Sequence, residues 1–241
     1  QEKLPKNARL FDQAKYIDQV QKAMKDYNFV DVRDTLMDHN DEYIYYKTDH
    51  HWTSAGACLA YDVWSERTGG EAETEDGLVK NVVSDKFRGS LYSKILDADS
   101  AYDEIWTYGL QKDDAFGSKD CTVTIDEKQQ LDSIYDDEML QKKDKYAYFL
   151  SGNYGQVHIQ NQKAASKAKG KNILIIKDSF ANSFVPFVTQ DYENIYMVDL
   201  RYYNGDMKSY LQEHNITDVL VLYNISNFIS DRNLHKLTGG I

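Results

Sequence analysis

The chain has 241 residues, with 28 Lys and Arg against 39 Asp and Glu, for a formal net charge of −11. That length supports a sizeable core without covalent staples, as one α/β domain over 1–241 or one domain carrying an insertion. Its acidic surface argues against a partner bound through nucleic-acid phosphates or anionic lipid, and no basic run interleaved with aromatics occurs.

From Lys3 to Asp26 apolar residues recur at Leu10, Ala14, Ile17, Val20 and Met24, which predicts an amphipathic helix. Asn28 to Arg33 alternates like a strand, and Tyr43 to Tyr46 is a short β-prone run leading to Asp49. Thr53 or Ser54 can cap a helix over Ala55 to Arg67, with Leu59, Ala60, Val63 and Trp64 inward and Gly69-Gly70 closing it. The stretch of about 71–145 is charge-rich, with β-prone runs at Glu104 to Tyr108 and Thr122 to Ile125, and reads as an insertion or lid. Beyond it, Tyr146 to Leu150, Ile173 to Ile176, Ile195 to Val198 and Val219 to Leu222 are short apolar runs. Helix-like stretches at Phe180 to Thr189 and Met207 to His214 separate the last three, which predicts a mainly parallel sheet covered on both faces.

Cys58 and Cys121 lack CxxC or Cys/His ligand spacing, so neither a metal site nor a dense disulfide framework is indicated, and a single bridge between them stays open. The 19 tyrosines suit core packing and sugar contact alike, packing being the commoner use. The chain begins at Gln1 rather than Met and has no apolar run long enough for a bilayer; it reads as trimmed, so a missing leader or anchor carries no weight. No GxSxG elbow, GxxxxGK[ST] loop or GxGxxG turn is present, and no cofactor is indicated.

Two segments carry chemistry: Asp49-His50-His51-Trp52 and Lys177-Asp178-Ser179-Phe180. A serine hydroxyl becomes a nucleophile when an imidazole takes its proton, and the imidazole needs a carboxylate to fix its tautomer. Ser179 follows an apolar strand and opens a helical stretch, where its hydroxyl emerges at the carboxyl edge of the sheet beside orphan N–H donors. Asp178 or Ser179 could equally be a plain N-cap. Asp49 and His51, two apart, face the same way in an extended segment. A metal site at Asp49-His50-His51 is the rival, hindered by the alternating directions of adjacent residues; His50 is the rival base.

Tyr45 to Ala57, with Asp49-His50-His51-Trp52 at its centre, resembles the signature of the DHHW protein family of Gram-positive bacteria, itself similar to SGNH-like domains of alginate and cell-wall polysaccharide O-acetyltransferases. Gly89 to Ser93, Leu150 to Asn153, Lys177 to Phe180 and Asp199 to Tyr203 resemble its shorter blocks. The resemblance implies an SGNH-like, flavodoxin-like three-layer sandwich, with Ser179 as nucleophile, His51 as general base and Asp49 as its orienter. It implies Asn153 as an oxyanion donor, with an ordinary Gly-Asn turn as the alternative. Arg201 is a candidate contact for an anionic or carbonyl-bearing substrate, with a structural salt bridge to Asp199 or Asp178 as the alternative. Lys177 departs from the Gly that often precedes the Asp-Ser pair.

The implied activity is an extracytoplasmic serine O-acyltransferase, transferring acetyl to a carbohydrate polymer with a membrane-bound acyl-exporting partner. A carbohydrate acetylesterase, a non-catalytic polysaccharide-binding protein and a metal-dependent hydrolase are the alternatives.

Overall fold

The computed structural model describes residues 11–70, 77–164 and 166–238. The chain divides into two compact units, 1–31 and 32–241. In the first, helix α1 spans Gln13–Ala23, capped by the Asp12 carboxylate, which accepts from Lys15 N–H at 3.0 Å. The predicted extension of α1 toward Lys3 lies outside the described residues up to 10, as does the start of the 71–145 stretch through 76. The predicted strand at Asn28 to Arg33 does not form: Arg33 opens a short helix, α2 (Arg33–Asp38), and residues 28–32 are irregular. Alternation over so few residues has no force without a neighbouring strand to pair with.

In the second unit, helix α3 (Ser54–Arg67) is capped by Thr53 and leaves through Gly69, whose φ of +82° suits glycine. Its buried face differs from the expected one. Ala57, Cys58, Ala60, Tyr61, Trp64 and Ser65 are buried, whereas Leu59 and Val63 are only partly covered. Strands β1 (Val79–Phe87), β2 (Asp103–Gln111) and β3 (Asp114–Ala115) form a small antiparallel sheet, with helix α4 (Ser90–Ile95) between β1 and β2.

The larger sheet contains β4 (Cys121–Ile125), β5 (Gln129–Leu131), β6 (Gln156–Asn161), β7 (Asn172–Lys177), β8 (Asn194–Val198) and β9 (Asp218–Leu222), in the order β5-β4-β6-β8-β7-β9. It is mixed rather than mainly parallel. Only β8-β7-β9 run parallel, and β6, β4 and β5 add on antiparallel to their neighbours. The burial along β4 and β6 explains this: Cys121, Val123 and Ile125, and Val157 and Ile159, are buried while their neighbours are not, the one-sided pattern of antiparallel strands. Ile173 to Ile176 of β7 are buried on both faces.

One face of the parallel half packs Leu174, Ile176, Tyr196 and Val198 against Met207 and Tyr210 of helix α6 (Met207–Glu213). After β7 the expected helix is two short pieces, a 3-10 turn at Ser179–Asn182 and helix α5 (Val185–Val188), with Pro186 in its first turn. The apolar run Tyr146 to Leu150 is likewise no strand. Lys145–Tyr148 is a 3-10 turn, and Leu150 and Ser151 take positive φ. Its apolarity serves an aromatic core instead, in which Tyr46, Phe87, Ile105, Tyr146, Tyr148 and Phe149 pack together. Helix α7 (Ile225–Ser230) follows β9. Cys58 and Cys121 are both buried and are not joined by a disulfide, so the bridge left open by the sequence does not form. Among the described residues no helix is long and apolar enough to cross a membrane.

Candidate active site

The chain from Ile44 to Thr53 doubles back on itself. Tyr45 bridges Trp52, Tyr46 N–H donates to His51 O at 3.2 Å, and Thr53 N–H donates to Ile44 O at 2.9 Å, which closes residues 47–51 into a loop. Within it Asp49 forms an Asx turn, its Oδ1 accepting from the backbone N–H of His51 at 3.0 Å and standing 2.6 Å from His51 Nδ1. The Asp-x-His pair expected from extended spacing therefore meets through a turn. The side chain's own hydrogen bond to the backbone outcompetes an extended run that has no strand partner.

His51 Nε2 lies 2.7 Å from Ser179 Oγ, 128 residues along the chain. An ionised carboxylate only accepts, so the imidazole proton belongs on Nδ1, leaving Nε2 to accept from the serine hydroxyl. Asp49, His51 and Ser179 are 4%, 5% and 7% exposed, so this chain of contacts is largely withdrawn from water. Burial pushes the Asp49 carboxyl upward, but the hydrogen bond and charge of His51, with the backbone N–H groups of Ser90 and His51, more than offset it and hold it below the ordinary carboxylate value.

The 71–145 stretch supplies the supports of this loop. Asp103, at the start of β2 and 1% exposed, accepts from the N–H groups of Lys47 at 2.9 Å and Thr48 at 2.7 Å, from Thr48 Oγ1 at 2.5 Å, and from the Tyr43 hydroxyl. Helix α4 presents its first N–H groups: Ser90 N–H donates to Asp49 Oδ2 at 2.7 Å, and those of Leu91 and Tyr92 to Thr48 O at 3.0 Å. Orphan donors at a helix start suit a carboxylate. Gly89 makes the approach feasible, since a Cβ there would sit 2.6 Å from Asp49 Cγ.

Two aromatic residues to which the sequence reading gave no role hold the serine turn. Trp52 Nε1 donates to Phe180 O at 3.0 Å and Ser183 Oγ at 2.9 Å. Tyr146 stacks on the His51 ring at 3.7 Å and 6°, while its hydroxyl donates to Ser179 O at 3.0 Å. Trp52 stands in the Asp49 to Trp52 signature, but nothing local announces what either ring holds, since Trp52 joins segments more than a hundred residues apart and Tyr146 segments more than thirty apart.

His51, and not the rival His50, reaches Ser179. The His50 ring lies 3.9 Å from that of His51, with Nδ1 2.5 Å from Ser90 Oγ, and burial followed by the neighbouring His51 pushes its pKa down. Ligand atoms of Asp49, His50 and His51 fall within 4.8 Å of one another, so the alternation expected to separate them does not hold in a turn. Both ring nitrogens of His51 are nevertheless engaged, and a cation would have to displace Asp49 or Ser179.

Asp178 is indeed an N-cap: Oδ1 accepts from Phe180 N–H at 2.9 Å, and Oδ2 from Asn224 N–H at 2.8 Å and Asn227 Nδ2 at 2.7 Å. Asn153 lies after a Gly on a loop between the Tyr146 turn and β6, its Oδ1 accepting from Lys177 Nζ at 2.9 Å. Arg201 forks onto Asp199, Nε to Oδ1 at 2.9 Å and one terminal nitrogen to Oδ2 at 2.6 Å, and lines a cavity of about 300 Å³ with Asp178, Tyr223 and Asn227.

No curated protein matches the chain in sequence. The solved structures that share the fold include the following three. A DHHW family protein from Eubacterium siraeum superposes with a TM-score of 0.81 at 23% identity, over 99% of this chain and 78% of that one. PatB1 of Bacillus cereus, in a structure with a sulfonyl adduct, gives 0.74 at 23% identity over 95% and 79%. The O-acetyltransferase domain of Pseudomonas putida AlgJ gives 0.51 at 12% identity over 98% and 73%. The family model for DHHW proteins matches residues 9–198, and the chain belongs to the DHHW protein family.

Proposed function

We propose that the chain is an extracytoplasmic serine O-acyltransferase on an SGNH-like scaffold, moving acetyl onto a hydroxyl of a cell-surface or exported polysaccharide. The observation that carries this reading is His51 standing 2.6 Å from Asp49 and 2.7 Å from Ser179 in a nearly dry site. Similarity of fold to an O-acetyltransferase domain supports the acetyl class.

Ser179 Oγ attacks the donor carbonyl as its proton passes to His51 Nε2; the tetrahedral intermediate collapses, and the leaving group departs with that proton. The sugar hydroxyl then gives its proton to His51 and attacks the acyl-serine, and His51 returns the proton to Ser179. Asp49 keeps the proton on Nδ1 and stabilises the imidazolium. Phe180 and Ala181 N–H groups are taken by Asp178, which leaves the N–H of Ser179 for the oxyanion, and the side-chain amide of Asn153 is the second donor that the family resemblance implies.

Transfer rather than hydrolysis requires that water be kept from the acyl-serine. The segment from β1 through β2 serves this as the wall behind Asp49. A membrane-bound acyl exporter is the donor partner this scheme needs.

The test is incubation with an activated acetyl ester, with and without an oligosaccharide. Acetylated oligosaccharide is expected by mass spectrometry, with slow release to water when no acceptor is present. Acceptor-independent hydrolysis without acetylated sugar would make the chain an esterase. Gly89→Ala probes the wall separately. The backbone at φ −93° tolerates alanine, so its effect is steric, pushing Asp49 off His51. A misplacement of about 1 Å costs on the order of 10²-fold in acylation rate, measurable by stopped-flow release of the leaving group.

A further inference from the structure

Lys177 ends β7, two residues before Ser179, and is 1% exposed. A lysine so buried is tolerated only where its ammonium is hydrogen-bonded. The nearby carboxylates are engaged elsewhere, Asp178 with Asn224, Asn227 and Phe180, and Asp199 with Arg201. Nζ donates instead to two neutral side chains, Asn153 Oδ1 at 2.9 Å and Asn182 Oδ1 at 2.7 Å.

An ammonium has donors and no acceptor, so both amides must turn their oxygens to it. Asn182 Nδ2 completes the clamp, donating to Gly152 O at 3.1 Å and to Asn153 Oδ1 at 3.3 Å. The amide nitrogen of Asn153 is thereby directed away from the lysine. The loop it sits on is strained: Leu150, Ser151 and Gly152 have φ of 62°, 57° and 123° in succession. L residues hold such conformations when their surroundings fix them, and these cluster at functional sites.

We infer that Lys177 is a positioning residue for acyl transfer: through the oxygens of Asn153 and Asn182 it fixes the strained loop to the serine turn and presents the Asn153 amide N–H groups to the oxyanion. This rests on the acyl-serine reading above. It also gives a reason for a lysine at this buried strand end, because the charge is what sets the amide orientation.

Burial pushes the Lys177 ammonium down to about 8, with Asp199 opposing, Arg201 adding to the shift and Asp178 opposing. Acylation through the clamp is thus expected to weaken as pH rises past about 8.

The experiment follows acetylation of Ser179 from p-nitrophenyl acetate by intact mass and burst kinetics. Lys177→Met is expected to slow acylation about 10- to 100-fold with little change in KM, below the 10²- to 10³-fold of a lost oxyanion donor. Asn153→Ala is expected to lose more, and Lys177→Met to add no further loss in the Asn153→Ala background.

Should Lys177→Met not fold, the pH profile decides: the wild-type rate falls above about pH 8, and the fall is absent in Asn153→Ala. Equal acylation by folded Lys177→Met, multiplying losses in the double variant, or an alkaline fall retained in Asn153→Ala would overturn the assignment. A wild-type adduct that persists in Ser179→Ala would instead sink the acyl-serine reading itself.

Discussion

Ser179→Ala is expected to leave the protein folded and to abolish the acyl adduct in intact mass. The turnover of an activated ester should fall by on the order of 10⁶-fold, toward the residue that binding and oxyanion donors supply alone. Alanine removes one oxygen from a position that is already 7% exposed, and the turn around it is held by bonds to other atoms: Trp52 to Phe180 O and Tyr146 to Ser179 O. The hydroxyl is thus separable from the scaffold.

His51→Ala should cost about as much, and the double variant no more than either alone, because the two act as one unit. Separate, multiplying losses would show that His51 serves something other than Ser179. Labelling by a sulfonyl fluoride should follow the same pattern, and label retained in Ser179→Ala would place the nucleophile elsewhere.

The parallel half of the larger sheet was legible because its physics is local. Ile173 to Ile176 and Ile195 to Val198 are buried on both faces, and a run with no polar break says so directly. The antiparallel half was harder. Val157 and Ile159 alternate inward in β6, but two apolar residues among Gln, His and Gln are a weak signal beside the stronger runs nearby. The run Tyr146 to Leu150 carried a stronger signal and misled, since its apolarity records burial against Tyr46 and Phe87 and not a strand.

At the site, Asp49, His51 and Ser179 could be proposed from residue types because hydroxyl activation needs those three chemistries. The supports could not. Asp103 bonds Thr48 at a separation of 55 residues, and nothing around Asp103 marks it as the anchor of a distant loop. Lys177 was visible as an oddity in the sequence, while its two amide partners appear only once β7, the Asn153 loop and the serine turn are brought together.

Asp49→Asn is the sharper probe of how the carboxylate acts, since it changes no volume and forces a choice on the loop. Asp49 has two accepting oxygens in use, Oδ1 toward both Nδ1 and the backbone N–H of His51 and Oδ2 toward Ser90 N–H. Asparagine has one. If its oxygen keeps His51 Nδ1–H, its NH₂ meets the Ser90 N–H, donor against donor, at about 1–3 kcal/mol for the unsatisfied group. If the oxygen turns to Ser90, the NH₂ faces His51 Nδ1, which must then accept, and the imidazole proton moves to Nε2, where it can no longer take one from Ser179.

Either arrangement sets the NH₂ against one backbone N–H, that of Ser90 in the first and that of His51 in the second; the shorter Ser90 bond, 2.7 Å against 3.0 Å, at the start of α4 favours the second, so activity is expected to fall about 10⁴-fold through the wrong tautomer while the fold persists. The pH dependence of stability gives an independent check. A carboxyl held below its unfolded value stabilises the fold fully above that value, about 3.9, and the contribution is lost as pH falls toward the folded one. The wild type should therefore lose unfolding free energy on acidification below about pH 4 more steeply than Asp49→Asn, as read by urea titration at several pH values. An Asp49→Asn variant within tenfold of wild-type activity, or an acid slope identical to that of the wild type, would remove Asp49 from its assigned role.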